Sequence, residues 1–312
     1  MKLAVVALFI CFAALSSASA QFYLVRSALP KVWVSGKIRI FYDVQGEHAV
    51  DASDVNMNGV PDQVEDIGTQ TLAAQTMLVD VLGFPDPFKG DRFRNVHFLD
   101  IHLLNKATLK SNGLTYDEIQ TFRRTTDPKG TRSICFDVAT SIKAPENLTP
   151  AHEFFHIIQN GATYFKNAWF TEGTARWSEK ALGTGGVSEG MRFKWPLSEE
   201  NLSNVDSMKY DASFRYWGPF ALSMDPQGEI PASLVPAALR ELKYTDGSPV
   251  LKDLKLHGWE AIRDVIIELG KLDDEAAKDR NLPKWPEAQQ KSPLNTPYIL
   301  RAVEQVQKAR AN

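Results

Sequence analysis

Two periodicities run through this chain. KVWVSGKIRIFYDV (31–44) alternates apolar and polar positions and is rich in β-branched and aromatic residues. It predicts one or two strands with a turn at Ser35-Gly36. NVHFLDIHLL (95–104) and SICFDVAT (133–140) predict two more strands. Between them the period changes to that of a helix. Val64, Ile67, Leu72, Met77, Leu78 and Leu82 form the apolar side of a helix expected from Pro61 to Leu82, which Gly83 and Pro85 stop. Another helix is expected from near Pro150, with Thr149 as its N-cap, and a further one over 171–182. Beyond that point alternation fades, and helices are expected at 211–223, 231–243, 258–270 and 296–309. Strands therefore precede residue 150 and helices mostly follow it, an α+β order and not an alternating α/β one. This order divides the chain into a β-rich N-terminal lobe over 21–182 and a mostly helical C-terminal lobe over 183–312, with LGTGGVSEG (182–190) as the expected linker.

The N-terminus adds an address. MKLAVVALFICFAALSSASA carries one lysine, an apolar run from Leu3 to Leu15 and then small residues, and Ala18-Ser19-Ala20 fits a signal-peptidase site. Residues 1–20 are read as a signal peptide and Gln21 as the mature start. The apolar run is shorter than the ~20 residues of a membrane span, and no second long apolar run exists. A protein that is secreted or periplasmic, and free of the membrane after signal cleavage, is expected. Cys11 leaves with the leader, so Cys135 has no partner for an intrachain disulfide. Bound metal is one other source of stability outside the cell. The formal net charge is −3 and no basic block occurs, which argues against a nucleic-acid partner.

The candidate chemistry begins at HEFFH (152–156). Helical spacing puts His152 and His156 on one face, one turn apart, where both imidazoles reach one ion. Glu153 stands one residue round the helix, placed to touch a water beside a zinc ion and act as its general base. Phe154, Phe155, Ile157 and Ile158 make the rest of the helix apolar, so it is expected to be buried. Two imidazoles and a carboxylate there need partners, and a metal satisfies all three.

A third ligand is sought in NAWFTEGTARWSEK (167–180). Glu172 follows His156 by 16 residues, at the expected start of the second helix, and Gly173 permits close backbone approach. Glu179 lies on the same helical face two turns on. It is read as the partner that holds a ligand histidine by its other ring nitrogen. The structural reading of Glu172 is an acid favoured at a helix N-terminus. His48, His97, His102 and His257 are isolated in the sequence.

HEFFHIIQ followed by WFTEGTARWSE resembles the gluzincin branch of the zincin metalloproteases. DVNMNGVPDQVED, LGFPDP, TPAHEFFHIIQ and WFTEGTARW, in this order, resemble a family of exported bacterial proteins first noticed in myxobacteria and classed as metalloproteases. The resemblance covers about residues 37–182. It implies a zincin-like metallopeptidase fold, with His152, His156 and Glu172 as zinc ligands and Glu153 as base. It supplies no substrate.

Asp54, Asn56, Asn58, Gly59 and Glu65 fit a twelve-residue calcium-loop pattern without a gap. Side chains at the first, third and fifth places point oxygens at one centre, and the glycine makes the turn. The Val60 carbonyl, Asp62 and Glu65 complete the expected calcium ligands. The simpler reading is a solvated Asx turn. Pro61 lacks an N–H, so the loop is expected to stand alone and to anchor the helix after it. For the developing oxyanion of a peptidase, Tyr216 is the first candidate, with Tyr210 and His257 as alternatives. Taken together, the expectation is a zinc metalloendopeptidase acting on protein or peptide. The rival is an exported zincin-like binding or adhesion module, stabilised by calcium, that catalyses nothing.

Overall fold

The structure, a computed structural model, describes residues 22–122, 124, 127–183 and 194–311. The signal-peptide segment and most of the expected 182–190 linker lie outside the described residues. Five strands form one mixed sheet: β1 (Lys31–Ser35), β2 (Ile38–Tyr42), β3 (Phe98–Leu104), β4 (Gly113–Thr115) and β5 (Ser133–Ala139), in the order β1-β2-β3-β5-β4. β2, β3 and β5 run parallel, with Ile40 beside Ile101 and Ile101 beside Phe136. β1 and β4 are the antiparallel edges, and Leu114 of β4 lies opposite Asp137. β2 and β5 are buried along their whole length, as expected of strands covered on both faces.

One sheet face carries Ile38, Ile40, Leu99, Ile101, Leu103, Ile134, Phe136 and Val138. It packs into the main core with α1 (Asp62–Gln75) and α2 (Thr149–Ala162). The sequence places the helix after residue 61 correctly. Its last turns, Thr76–Val81, widen into a π-helix before Gly83 at φ +71° ends it. The other face is polar beneath a second, small cluster of Phe22, Val25, Leu29, Phe41 and Leu104, supplied in part by the helical residues 22–28. There Arg26 bonds Asp137, and Arg39 and Arg124 share Asp100. His102 bridges Asp137 and Arg124. Every cation has a carboxylate, which such burial demands. Cys135 is fully buried and free.

After α2 come α3 (Ala168–Ser178), α4 (Trp259–Asp279) and α5 (Thr296–Ala311), with α4 and α5 packed on each other. The expected 211–223 helix is a π-turn over Ser213–Trp217 that runs into Gly218–Met224. The expected 231–243 helix shrinks to Ala237–Arg240, because Pro231 and Pro236 deny it a continuous start. Among the described residues no helix is long and apolar enough to cross a membrane.

Candidate metal centre

Helix α2 starts at Thr149 itself, and Pro150 follows where a missing N–H costs nothing. The cap is Leu148 and not Thr149; Asn147 Oδ1 accepts from the Thr149 N–H and hydroxyl. Phe154, Phe155, Ile157 and Ile158 are fully buried, and this fixes which side of the helix faces outward. That side carries His152 and His156.

α3 begins at Ala168, three residues before the expected start, so Glu172 sits in its second turn and not at its N-terminus. This removes the helix-end explanation for the acid. Gly173 brings α3 close to its neighbours: a Cβ there would lie 2.7 Å from Trp217 Cδ1 and 2.9 Å from Ala212 Cβ. Trp177 packs on Phe155 of α2 with ring centroids 6.2 Å apart. This packing turns Glu172 toward the two histidines.

His152 Nε2 and His156 Nε2 lie 3.1 Å apart, and Glu172 Oε2 stands 3.3 Å from the first and 3.5 Å from the second. The outer ring nitrogens determine what these atoms are. Gln159 Nε2 donates to the Thr171 carbonyl at 2.9 Å and to the Thr174 hydroxyl at 2.6 Å. A carbonyl only accepts, so the amide nitrogen must face it, and the amide oxygen faces His156 Nδ1 at 2.7 Å. His152 Nδ1 faces Glu179 Oε1 at 2.7 Å. Both Nδ1 atoms therefore donate, and in the neutral rings both Nε2 lone pairs converge with a carboxylate oxygen. Three acceptors facing one another call for a cation. Ligands ~2.0–2.1 Å from a tetrahedral zinc stand ~3.3 Å apart, and the three separations bracket that value. These side chains fit zinc as a set.

Without an ion, the group compensates internally. Burial pulls His152 down, but its bonds to Glu172 and Glu179 outweigh this and raise it to about 10. Burial alone would raise Glu172, yet the two histidines hold it well below the usual carboxylate range. Glu153 is 6% exposed, and its burial pushes the carboxyl up against the pull of both histidines.

Glu153 lines a cleft of about 940 Å³ together with His156 and Glu172. Edge strand β4 forms one wall. Thr115 Oγ1 lies 2.7 Å from Glu153 Oε2, and a Cβ on Gly113 would overlap the Glu153 carboxylate. The lining also includes Lys209, Tyr210, Trp285 and Pro293.

Tyr216 does not reach this cleft. It is buried in a cluster with Trp169, Trp195 and Trp217, and its assignment near an oxyanion is corrected. Aromatic bulk holds it in the core. His257 is also elsewhere, with Nδ1 on the Asp225 carbonyl. Tyr210 is the member of the three that lines the cleft; burial and the adjacent Glu172 push its hydroxyl up to about 12. The sequence reading passed over Gln159, Gly113 and Thr115. Gln159 could have been found from its place three residues after His156, on the same helical face.

The 54–65 loop folds around its own acids. Asp54 accepts from the Asn58 and Gly59 N–H groups at 3.1 and 2.8 Å, and Asn58 Oδ1 accepts from Val60 N–H at 2.9 Å. The Asn56 and Asn58 amides face the two Glu65 oxygens at 2.8 and 2.7 Å, and Asp62 accepts from Val55 N–H. Gly59 makes the turn at φ +86°. The loop runs directly into α1, and no helix covers 43–53 before it.

No protein-family model, no curated protein and no solved structure matches this chain.

Proposed function

We propose that this chain is an exported, secreted or periplasmic zinc metalloendopeptidase with a zincin-like fold, acting on protein or peptide substrates. One observation carries the reading: two imidazole lone pairs and a carboxylate oxygen converge at 3.1–3.5 Å beside a buried glutamate in an open cleft. His152, His156 and Glu172 hold the metal. Zinc, when bound, supplies Lewis acidity that polarises a carbonyl and acidifies water. Glu153 takes a proton from water on its carboxylate and returns it to the leaving amine nitrogen. Thr115 orients the carboxylate, and the Tyr210 hydroxyl, hydrogen-bonded beside Glu172 here, would donate to the developing oxyanion.

We also propose calcium for the 54–65 loop, through Asp54, Asn56, Asn58, the Val60 carbonyl, Asp62 and Glu65. Support comes from the sequence pattern and the Gly59 turn at φ +86°; the Asn56 and Asn58 oxygens here accept from the Asn58 and Val60 N–H groups, and their amide nitrogens donate to Glu65. The ion would anchor the start of α1.

The test is elemental analysis of the mature chain beside His152→Ala/His156→Ala, followed by cleavage of a denatured protein substrate. About one zinc per chain, lost in the double variant, and cleavage abolished by Glu153→Gln are expected. A folded chain without zinc refutes the reading. Zinc without cleavage of any peptide bond favours the binding module.

A further inference from the structure

Beyond His156 the cleft continues to a second set of polar groups that the metal chemistry does not use. Asn160 stands one turn after His156 on α2 and lines the cleft. It is 8% exposed, and among the described residues its carboxamide has no hydrogen-bond partner. No described protein group bonds this amide, and it opens onto the cleft, where a ligand can take the place of water. Lys166 lines the same space. Its ammonium and the Arg92 guanidinium both bond a single oxygen, Asp117 Oδ2. Arg92 is otherwise engaged by the carbonyls of Asn160 and Thr163. Two cations thus meet at Asp117 Oδ2, although Asp273 also lies near Arg92, and Glu118 and Asp206 line the same cleft. Lys291 adds a further positive charge near Lys166, itself paired with Glu287. Lys166 keeps donors to spare, since an ammonium has three. Trp285, stacked on Tyr164 with ring centroids 5.9 Å apart, supplies a flat apolar wall.

We propose that Asn160 and Lys166 form a carboxylate-binding subsite of the cleft, selecting substrates with an acidic group beside the bond presented to Glu153. The ligand class rests on the metallopeptidase reading. The site itself rests on the unpartnered amide and the shared carboxylate. A carboxylate can arrive from an acidic side chain or from a peptide C-terminus, and the test separates them.

Binding is measured on the zinc-loaded Glu153→Gln chain, with blocked hexapeptides carrying glutamate at one position in turn, each paired with its glutamine isostere. The same glutamine peptides are also presented with a free C-terminus. At one position, glutamate or the free terminus is expected to bind about tenfold tighter than its neutral counterpart. Adding Lys166→Met or Asn160→Leu should reduce that preference to about twofold or less. Lys166→Arg keeps the charge on Asp117 and should retain it, which separates charge from packing. No preference for a carboxylate at any position, or no binding at millimolar peptide, overturns the proposal. So does a preference that survives Lys166→Met. Cleavage by the unaltered chain is followed in parallel. Peptides cut without acidic preference overturn the subsite and leave the peptidase standing. Acidic peptides held through Lys166 but never cut leave the subsite standing and overturn the peptidase.

Discussion

Glu179 is the cleanest place to test how the metal centre is built, because it touches a proposed ligand without being one. Its Oε1 lies 2.7 Å from His152 Nδ1, and its side chain is 30% exposed at the C-terminal end of α3. Replacing it therefore leaves no buried hole. Glu179→Gln retains an oxygen that can accept from Nδ1–H but removes the charge. Glu179→Ala removes both. Outer partners of ligand histidines are worth roughly 10–100-fold in metal affinity, about 1.4–2.7 kcal/mol. Partial exposure screens the charge, which places the glutamine variant near the lower limit, about tenfold. The alanine variant frees the ring to rotate or to change tautomer and should approach about 100-fold. The assay is competition for zinc against a chromophoric chelator, with circular dichroism confirming that each chain is folded. The expected order is native, then glutamine, then alanine. Native affinity in Glu179→Ala would refute the argument that Glu179 fixes the His152 tautomer. An equal loss in both variants would show that charge alone matters and orientation does not.

Four further outcomes are expected. Gly113→Ala should cut peptidase activity by about tenfold or more while zinc content is unchanged, because the new methyl overlaps the Glu153 carboxylate and not the ligands; native activity in a steady-state assay would contradict that. Tyr210→Phe should lower kcat by about tenfold or more, whereas Tyr216→Phe should leave it within about twofold, since Tyr216 is buried away from the cleft. Calcium at about ten times its Kd should stabilise by about 1.4 kcal/mol, roughly 3 °C in Tm by calorimetry, and Glu65→Gln should abolish the shift. Asp273 is 3% exposed, and burial raises its carboxyl to about 6 despite bonds from the Thr163 hydroxyl and Tyr164 N–H. A raised acid stabilises the native state fully below its unfolded pKa of 3.8, and that contribution is lost as pH rises through about 6. At most about 3 kcal/mol is involved, so urea midpoints should fall across that window, and Asp273→Asn should flatten the fall.

What could be read from the sequence depended on how far apart the cooperating residues stand. His152, Glu153 and His156 share two turns of one helix, so spacing alone predicts their geometry. Glu172 and Glu179 lie on the next helix, and the apolar residues around them indicate that it packs on the first. The start of α3 lies three residues before the expected one because Ala168, Trp169 and Phe170 resemble a buried approach as much as a first turn. Tyr216 departs from its expected place for a similar reason. Hydrophobic neighbours such as Trp217 mark a core position as strongly as a cleft, whereas Tyr210 lies between Lys209 and Asp211 and is 51% exposed. Gly113 and Thr115 were beyond reach for a stronger reason. They belong to a three-residue edge strand whose existence depends on pairing with β5, more than twenty residues downstream in the chain. Such a strand has no periodicity of its own. Its register, with Leu114 opposite Asp137, is what brings Thr115 to the oxygen of Glu153. A one-residue slip would turn Thr115 to the other face and leave that carboxylate with neither its hydroxyl partner nor the space that Gly113 leaves for it. The proposed metal ligands are thus a local property of two helices, while the setting of the proposed base is a property of the whole sheet. Changes that loosen β4 should therefore impair catalysis before they impair zinc binding, which is the reverse of what changes in α3 should do.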